Sequence, residues 1–337
     1  TGIAVAILGA VALWIAPWRG RRRMPLVLGA ILLADLWQQH LPINGTAAAA
    51  DYFPPTPFLR QVQQVVPATE RILVVGDSLP TNTALVYGIR DWRAQDPMIT
   101  TRAFQAAQFL SPQLTSNIWD EYNMFLHDVR LPLAPILGMR YFIFPVGVDP
   151  NTVSPSDPQR PPFTRLAYKD GLGLWAAAAV PGFAYLSDGV TATTQPQQIA
   201  AWMQGLTWAQ VRTFPALVET TPATVAAIHH DPAGTAPGPV TVQEYSPGHI
   251  RLQAVAARPA LLVVAESWYP GWRGTLDGRP VEILRANYLS QGVVVPAGTH
   301  TIVLEYAPDS VRAGALISSM GGLGMLLLAI WAWYRRG

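Results

Sequence analysis

The chain contains no cysteine. Disulfides, zinc–thiolate sites, iron–sulfur clusters and cysteine nucleophiles are therefore excluded. Charge is scarce as well. Asp, Glu, Lys and Arg make up 13% of the 337 residues, where about 25% is usual for soluble domains. Half of the residues are hydrophobic. That balance excludes a disordered chain and argues against a wholly soluble one. The 31 prolines and 27 glycines follow no three-residue period, which removes collagen. Also absent are a P-loop, a G-x-G-x-x-G turn, an H-E-x-x-H helix and paired carboxylates at a telling spacing. No nucleotide, haem or other cofactor is expected.

The formal net charge is +2, but its distribution argues against a nucleic-acid partner. Arg19, Arg21, Arg22, Arg23, Arg335 and Arg336 sit beside apolar runs. Between Pro42 and Arg312 there are 17 basic against 20 acidic residues. A polyanion-binding surface needs the reverse.

Three apolar stretches stand out, at 2–18, 24–43 and 313–333. A membrane-spanning helix needs about 20 apolar residues. The third meets this without a charge; the first is slightly short, begins without methionine and reads as truncated. The second carries Asp35, Gln38, Gln39 and His40 toward one end, which suits an outer interface. The positive-inside rule places the basic loop 19–23 and the Arg335-Arg336 tail in the cytoplasm. Both conditions hold if the spans run inward, outward and inward, leaving residues 44–311 extracytoplasmic. A signal peptide is excluded, because the basic cluster follows the first apolar run.

Within the exported part, Phe58, Leu59, Val62, Val65 and Val66 share a helical face, and residues 71–75 (RILVV) read as a short buried strand. Residues 83–87 and 101–109 read as helices and 140–146 as a strand, so 44–150 is expected to be an α/β subdomain. Residues 151–239 read as a linker and mixed α/β segment, with strands at 172–179, 183–186 and 211–218 and a helix at 197–204. From 240 to 308 short strands alternate with turn residues, including Asp277-Gly278, a type I′ hairpin signal. The fold class expected is a membrane protein with transmembrane helices at 1–43 (two) and 309–337 (one). These flank an extracytoplasmic α+β region with a C-terminal, jelly-roll-like β-sandwich.

The run Ala265-Glu266-Ser267-Trp268-Tyr269-Pro270-Gly271-Trp272 is followed by Asp277-Gly278, Ala286-Asn287-Tyr288, Pro296-Ala297-Gly298-Thr299-His300 and Tyr306. This series closely resembles the C-terminal region of bacterial YfhO-type membrane proteins. Leu79-Pro80-Thr81-Asn82, Tyr87-Gly88-Ile89-Arg90-Asp91 and Ala34-Asp35-Leu36 resemble the same family. The resemblance implies a bacterial plasma-membrane location. It also implies the C-terminal part of a polytopic, GT-C-like envelope glycosyltransferase that uses a lipid-linked sugar. The exported domain would then aid acceptor binding. The family's catalytic acid lies in an early loop that has no counterpart here, so no catalytic residue is carried over. The alternative is a non-catalytic, membrane-anchored module that binds envelope polysaccharide or a partner protein. The expected partners are the lipid bilayer, lipid-linked sugar and envelope polysaccharide.

The binding candidates are Trp268, Tyr269, Trp272, Asp277, Asn287 and Tyr288. Aromatic faces stack on sugar rings, but large aromatics also plug cores and line membrane interfaces. Asp277 reads first as a turn residue, and Asn287 and Tyr288 first as pins on an adjoining segment. Asp35, the one acid in an apolar run, either marks a site or reaches interfacial water. Gly76-Asp77-Ser78-Leu79 matches the string of GDSL esterases, yet no D-x-x-H follows Ser78. A strand ending in a turn is the simpler reading. His229-His230-Asp231 lacks a third ligand at recognisable spacing, so no metal is expected.

Overall fold

The computed structural model describes residues 29–30, 32–37, 54–76, 78–93, 99–115, 124, 126–153, 157–228 and 237–335. The 2–18 stretch, the basic loop 19–23, Asp77, His229, His230 and Asp231 lie outside these residues. Two units separate, Thr1–Pro54 and Pro55–Gly337. In the first, residues 29–30 and 32–37 are helical, and Asp35 is half-buried among the exposed Leu33, Leu36 and Trp37.

The second unit opens with helix α1 (Pro57–Val65). Thr56 caps it by accepting from the Leu59 amide at 3.2 Å, and Pro57 supplies the first-turn geometry. Its buried face is Phe58, Leu59 and Val62. That face covers one side of a five-stranded sheet ordered β2-β1-β3-β5-β4. The strands are β1 (Arg71–Val74), β2 (Arg90–Asp91), β3 (Met139–Pro145), β4 (Phe163–Lys169) and β5 (Leu172–Ala177). β1 is parallel to β2 and β3; β5 is antiparallel to β3 and β4. Strand alternation sends Ile72, Val74, Ile143 and Leu174 toward α1. Leu73, Phe142, Phe144 and Trp175 go to the other face, where α2 (Thr101–Leu110) and α3 (Pro196–Gly205) add Ala107, Leu110 and Met203.

Two further sheets pack face to face. The six-stranded one is ordered β6-β11-β15-β14-β8-β7. It holds β6 (Ala184–Ser187), β7 (Val190–Ala192), β8 (Ala216–Val218), β11 (Ala260–Val264), β14 (Leu284–Ala286) and β15 (Ser290–Val295). The five-stranded one is ordered β13-β12-β16-β10-β9 and is antiparallel throughout. It holds β9 (Val240–Ser246), β10 (His249–Ala256), β12 (Trp272–Leu276), β13 (Arg279–Val281) and β16 (Gly298–Tyr306). Leu252, Ala254, Ile302 and Leu304 meet Leu262, Val264, Val293 and Val295 between them. The outer face of the six-stranded sheet is buried too, through Tyr185, Val218, Leu261 and Val263, so every residue of β11 is buried.

This corrects the jelly-roll expectation. Residues 240–308 do not close on themselves, because β6, β7 and β8 complete one sheet from earlier in the chain and the parallel β7–β8 pair makes it mixed. The expectation of three transmembrane helices is also corrected. Among the described residues one helix is long and apolar enough to cross a membrane: α4 (Asp309–Tyr334), with its apolar window at Asp309–Leu328.

Candidate functional site

The parallel register of β1 and β2 sets Arg71 opposite Arg90. Across from them, Glu266 follows β11 and Tyr245 comes from β9. Arg71 and Arg90 donate to the same Glu266 carboxylate oxygen at 3.1 and 3.2 Å, and the Tyr245 hydroxyl donates to it at 3.2 Å. The Arg90 guanidinium lies between two rings, 3.9 Å from the centre of Tyr245 and 4.5 Å from that of Phe183. A further bond runs from Arg90 Nη1 to the Thr69 carbonyl at 2.7 Å. Burial, with Arg71 close by, lowers the Arg90 pKa to about 10. Burial also raises the Tyr245 phenol, and Glu266 adds to the effect.

These groups open on a cavity of about 400 Å³ at the seam between the first sheet and the sandwich, with Arg71, Arg90, Trp92, Tyr245 and Ser267 in its wall. Asp91 is part of the wall as well, but Arg93 holds it in a buried pair at 2.8 Å. Burial raises the Asp91 pKa against the pull of Arg93. Two guanidiniums therefore share one carboxylate in a hollow with aromatic sides. Such a place suits a planar anion on a ring-shaped molecule, because guanidinium forks pair with carboxylate and phosphate oxygens.

A second hollow, about 350 Å³, lies at the carboxyl ends of β1 and β3, against Val75, Gly76, His127, Phe144 and Pro145. Open parallel sheets often bind ligands there. Its walls are mainly apolar. Ser78 of the GDSL string, which leads out of β1, donates its hydroxyl to the Val75 carbonyl at 3.1 Å, as a turn residue does. Among the described residues no three His, Asp or Glu side chains are grouped to hold a metal.

The candidates named from sequence do not converge on one site. Asn287 is wholly buried. Its Oδ1 accepts from the Leu217 amide at 3.0 Å, and its Nδ2 donates to the Tyr185 hydroxyl at 2.8 Å and the Ile136 carbonyl at 3.3 Å. Tyr288 packs edge-on against Phe109 of α2, under the Arg102 guanidinium. Trp268 donates its indole N–H to the Ile283 carbonyl at 2.9 Å, and Arg285 covers its ring. Asp277 is exposed in the β12–β13 turn and bonds His300 Nδ1 at 2.7 Å. Trp272 lies against Tyr306 at the end of β16, and Tyr269 is exposed. The paired arginines were not among these candidates. The register that joins Arg71 to Arg90 spans residues 71 to 90, and nothing local in the sequence announces it.

No family model, curated protein or solved structure matches the chain. Together with the single membrane-length helix among the described residues, this overturns the expectation of a polytopic, GT-C-like glycosyltransferase part working on a lipid-linked sugar.

Proposed function

We propose that the chain is a non-catalytic, membrane-anchored module that binds an acidic envelope polysaccharide in the cavity of Arg71 and Arg90. The observation that carries this reading is two guanidiniums sharing one carboxylate, walled by Trp92 and Tyr245. Guanidinium forks recognise uronate or phosphodiester oxygens, and the rings take the sugar face. The anchor is α4, which carries no charge from Ala313 to Tyr334 and exposes Leu316, Ile317, Met320, Leu323 and Met325, a pattern that suits lipid better than water. With Arg335 and Arg336 at its cytoplasmic end, the sandwich lies outside the cell. We also propose kinship with YfhO-type proteins on the 265–306 series alone; no activity comes with it.

The test is calorimetric titration of the full chain in detergent with polygalacturonate, a glycerol teichoic acid and neutral dextran. Binding is expected for an acidic polymer and not for dextran, and Arg90→Gln is expected to weaken it at least about tenfold, or about 1.4 kcal/mol. Glu266→Gln should tighten it, because both guanidiniums lose their internal competitor. Affinity should stay flat from neutral pH upward and decline as Arg90 loses its proton above about 10. Equal binding of dextran, or weaker binding by Glu266→Gln, would refute the reading.

A further inference from the structure

β16 ends at Tyr306, and α4 begins three residues later at Asp309. The Tyr269-Pro270-Gly271-Trp272 turn is fastened to this short connection. Trp272 pairs with Tyr306 in the β12–β16 register, and their rings lie 5.5 Å apart. The Ala307 amide donates to the Gly271 carbonyl at 2.8 Å. Gly271 has φ +111°, and a Cβ there would stand 2.8 Å from the Pro308 Cβ. The connection can lie this close only because residue 271 has no side chain. Two residues on, Arg273 pairs with Asp309 at 2.6 Å. Tyr269 is 51% and Tyr306 41% exposed, although both are large aromatic side chains.

A helix that crosses a bilayer from its first turn puts everything fastened to that turn at the headgroup level. Tyrosine and tryptophan favour that layer, where one end of the ring is wet and the other apolar. We infer that the 269–272 turn and Tyr306 rest in the headgroup layer of the bilayer crossed by α4, so that the sandwich stands on lipid through an aromatic foot. The inference depends on the membrane-anchored reading above and adds the surface that meets the membrane. The occupant is lipid because the patch is continuous with the apolar helix: Val311, 66% exposed, follows within one turn.

The absence of cysteine permits a clean experiment with the full chain. Single nitroxide labels at Tyr269→Cys, Leu323→Cys and Val255→Cys are compared in nanodiscs of phosphatidylethanolamine and phosphatidylglycerol. Val255 is exposed near the far end of β10, whose other end, at His249, pairs with Glu305 beside Tyr306. Accessibility to a water-soluble nickel chelate is expected to be full at Val255, several-fold lower at Tyr269 and lowest at Leu323. Pro270→Cys, on the same exposed turn, should repeat the Tyr269 result and guards against an effect of losing the tyrosine ring. If labels at 269 and 270 are as accessible as at 255 while 323 is shielded, the foot is refuted and the anchor stands. If 323 is itself accessible, the anchor is refuted and the foot falls with it.

Discussion

Asn287 accepts at Oδ1 from the Leu217 amide and donates through Nδ2 to Tyr185 and Ile136, so one side chain joins β8, β6 and the end of the first sheet's short 133–136 helix. Its own amide donates to the Leu217 carbonyl at 2.7 Å. Tyr185 in turn donates to the Pro215 carbonyl at 2.8 Å, and burial pushes its pKa well up, so it stays a neutral donor. The Asn287→Ala variant strands buried polar groups, each costing about 1–3 kcal/mol. Denaturant unfolding of the variant should show that loss; a midpoint equal to wild type would mean that water replaces the amide. His300 offers a pH test. Its hydrogen bond to Asp277 raises the imidazole pKa, and the same contact lowers that of the carboxyl. The imidazole contribution is complete below its ordinary pKa of about 6.5 and fades as pH rises through the raised value. The carboxylate contribution is present above about 3.9 and fades as pH falls through the lowered value. NMR titration should therefore find the His300 midpoint above that of a free histidine and returned toward it in Asp277→Asn. An unchanged midpoint in the variant would remove the pair as the cause.

At the scale of elements, the seam between the first sheet and the sandwich is tight at Gly138. A Cβ there would lie 2.2 Å from the Ala265 Cβ, and φ is +84°. Gly138→Ala thus combines overpacking with backbone strain, each about 1–3 kcal/mol, and should lower the unfolding midpoint far more than Gly88→Ala. Gly88 shares a positive φ but has nothing within 4 Å of its Cβ position, so equal losses in the two variants would show that strain alone matters. Local signals made much of this layer readable. Of the five residues expected on one helical face, Phe58, Leu59 and Val62 form the buried face of α1 while Val65 is exposed and Val66 caps the helix, and Asp277-Gly278 gives the β12–β13 turn, with Asp277 at φ 51°. Asp170-Gly171 forms the same kind of turn between β4 and β5, yet β4 was not expected. A bulge between Arg165 and Ala167 breaks its alternation, leaving one buried residue before it and one after. The expected 211–218 strand starts on the last residue of a helical turn and is strand only over its final three residues. Thr207 and Gln210 form a capping box for the Trp208–Val211 turn, and only Ala216–Val218 is strand. Thr207-x-x-Gln210 is the sequence signature of such a box. Strand partners were the illegible part. β8 is three residues long and is held between β7 and β14 by pairings far apart in sequence, which no local period encodes.

At the scale of the whole second unit, two carboxylates tie the sheets together. Glu266 takes Arg71 and Arg90, as described, and Glu219, just past β8, takes Arg102 of α2 and Arg285 of β14. Glu70 adds a lighter tie: it pairs with Arg140 at 3.0 Å and accepts from the Phe183 amide at 3.3 Å, while burial raises its pKa against the pull of Arg140. The Glu266 clamp also joins two walls of the 400 Å³ cavity, since Arg71 and Arg90 belong to one sheet and Tyr245 to another. Cooperative unfolding of both parts is the expected consequence. In detergent, where the apolar α4 has no reason to unwind, residual helix should remain after the sheets have melted. Glu219→Gln removes the charge that Arg102 and Arg285 share, and both guanidiniums stay stacked on rings, Arg102 on Tyr288 and Arg285 on Trp268. Arg102 is partly open to water, which screens its share of the pair, so the loss should be near the low end of about 1.5–3 kcal/mol for hydrogen bonds to charged groups. The sharper expectation is in cooperativity. Tryptophan fluorescence and far-ultraviolet circular dichroism should report one common midpoint for the native chain and two separated midpoints for Glu219→Gln, with the sandwich melting apart from the first sheet. Coincident curves in the variant would mean that Asn287, Glu266 and the packed seam at Gly138 suffice to bind the parts into one cooperative body.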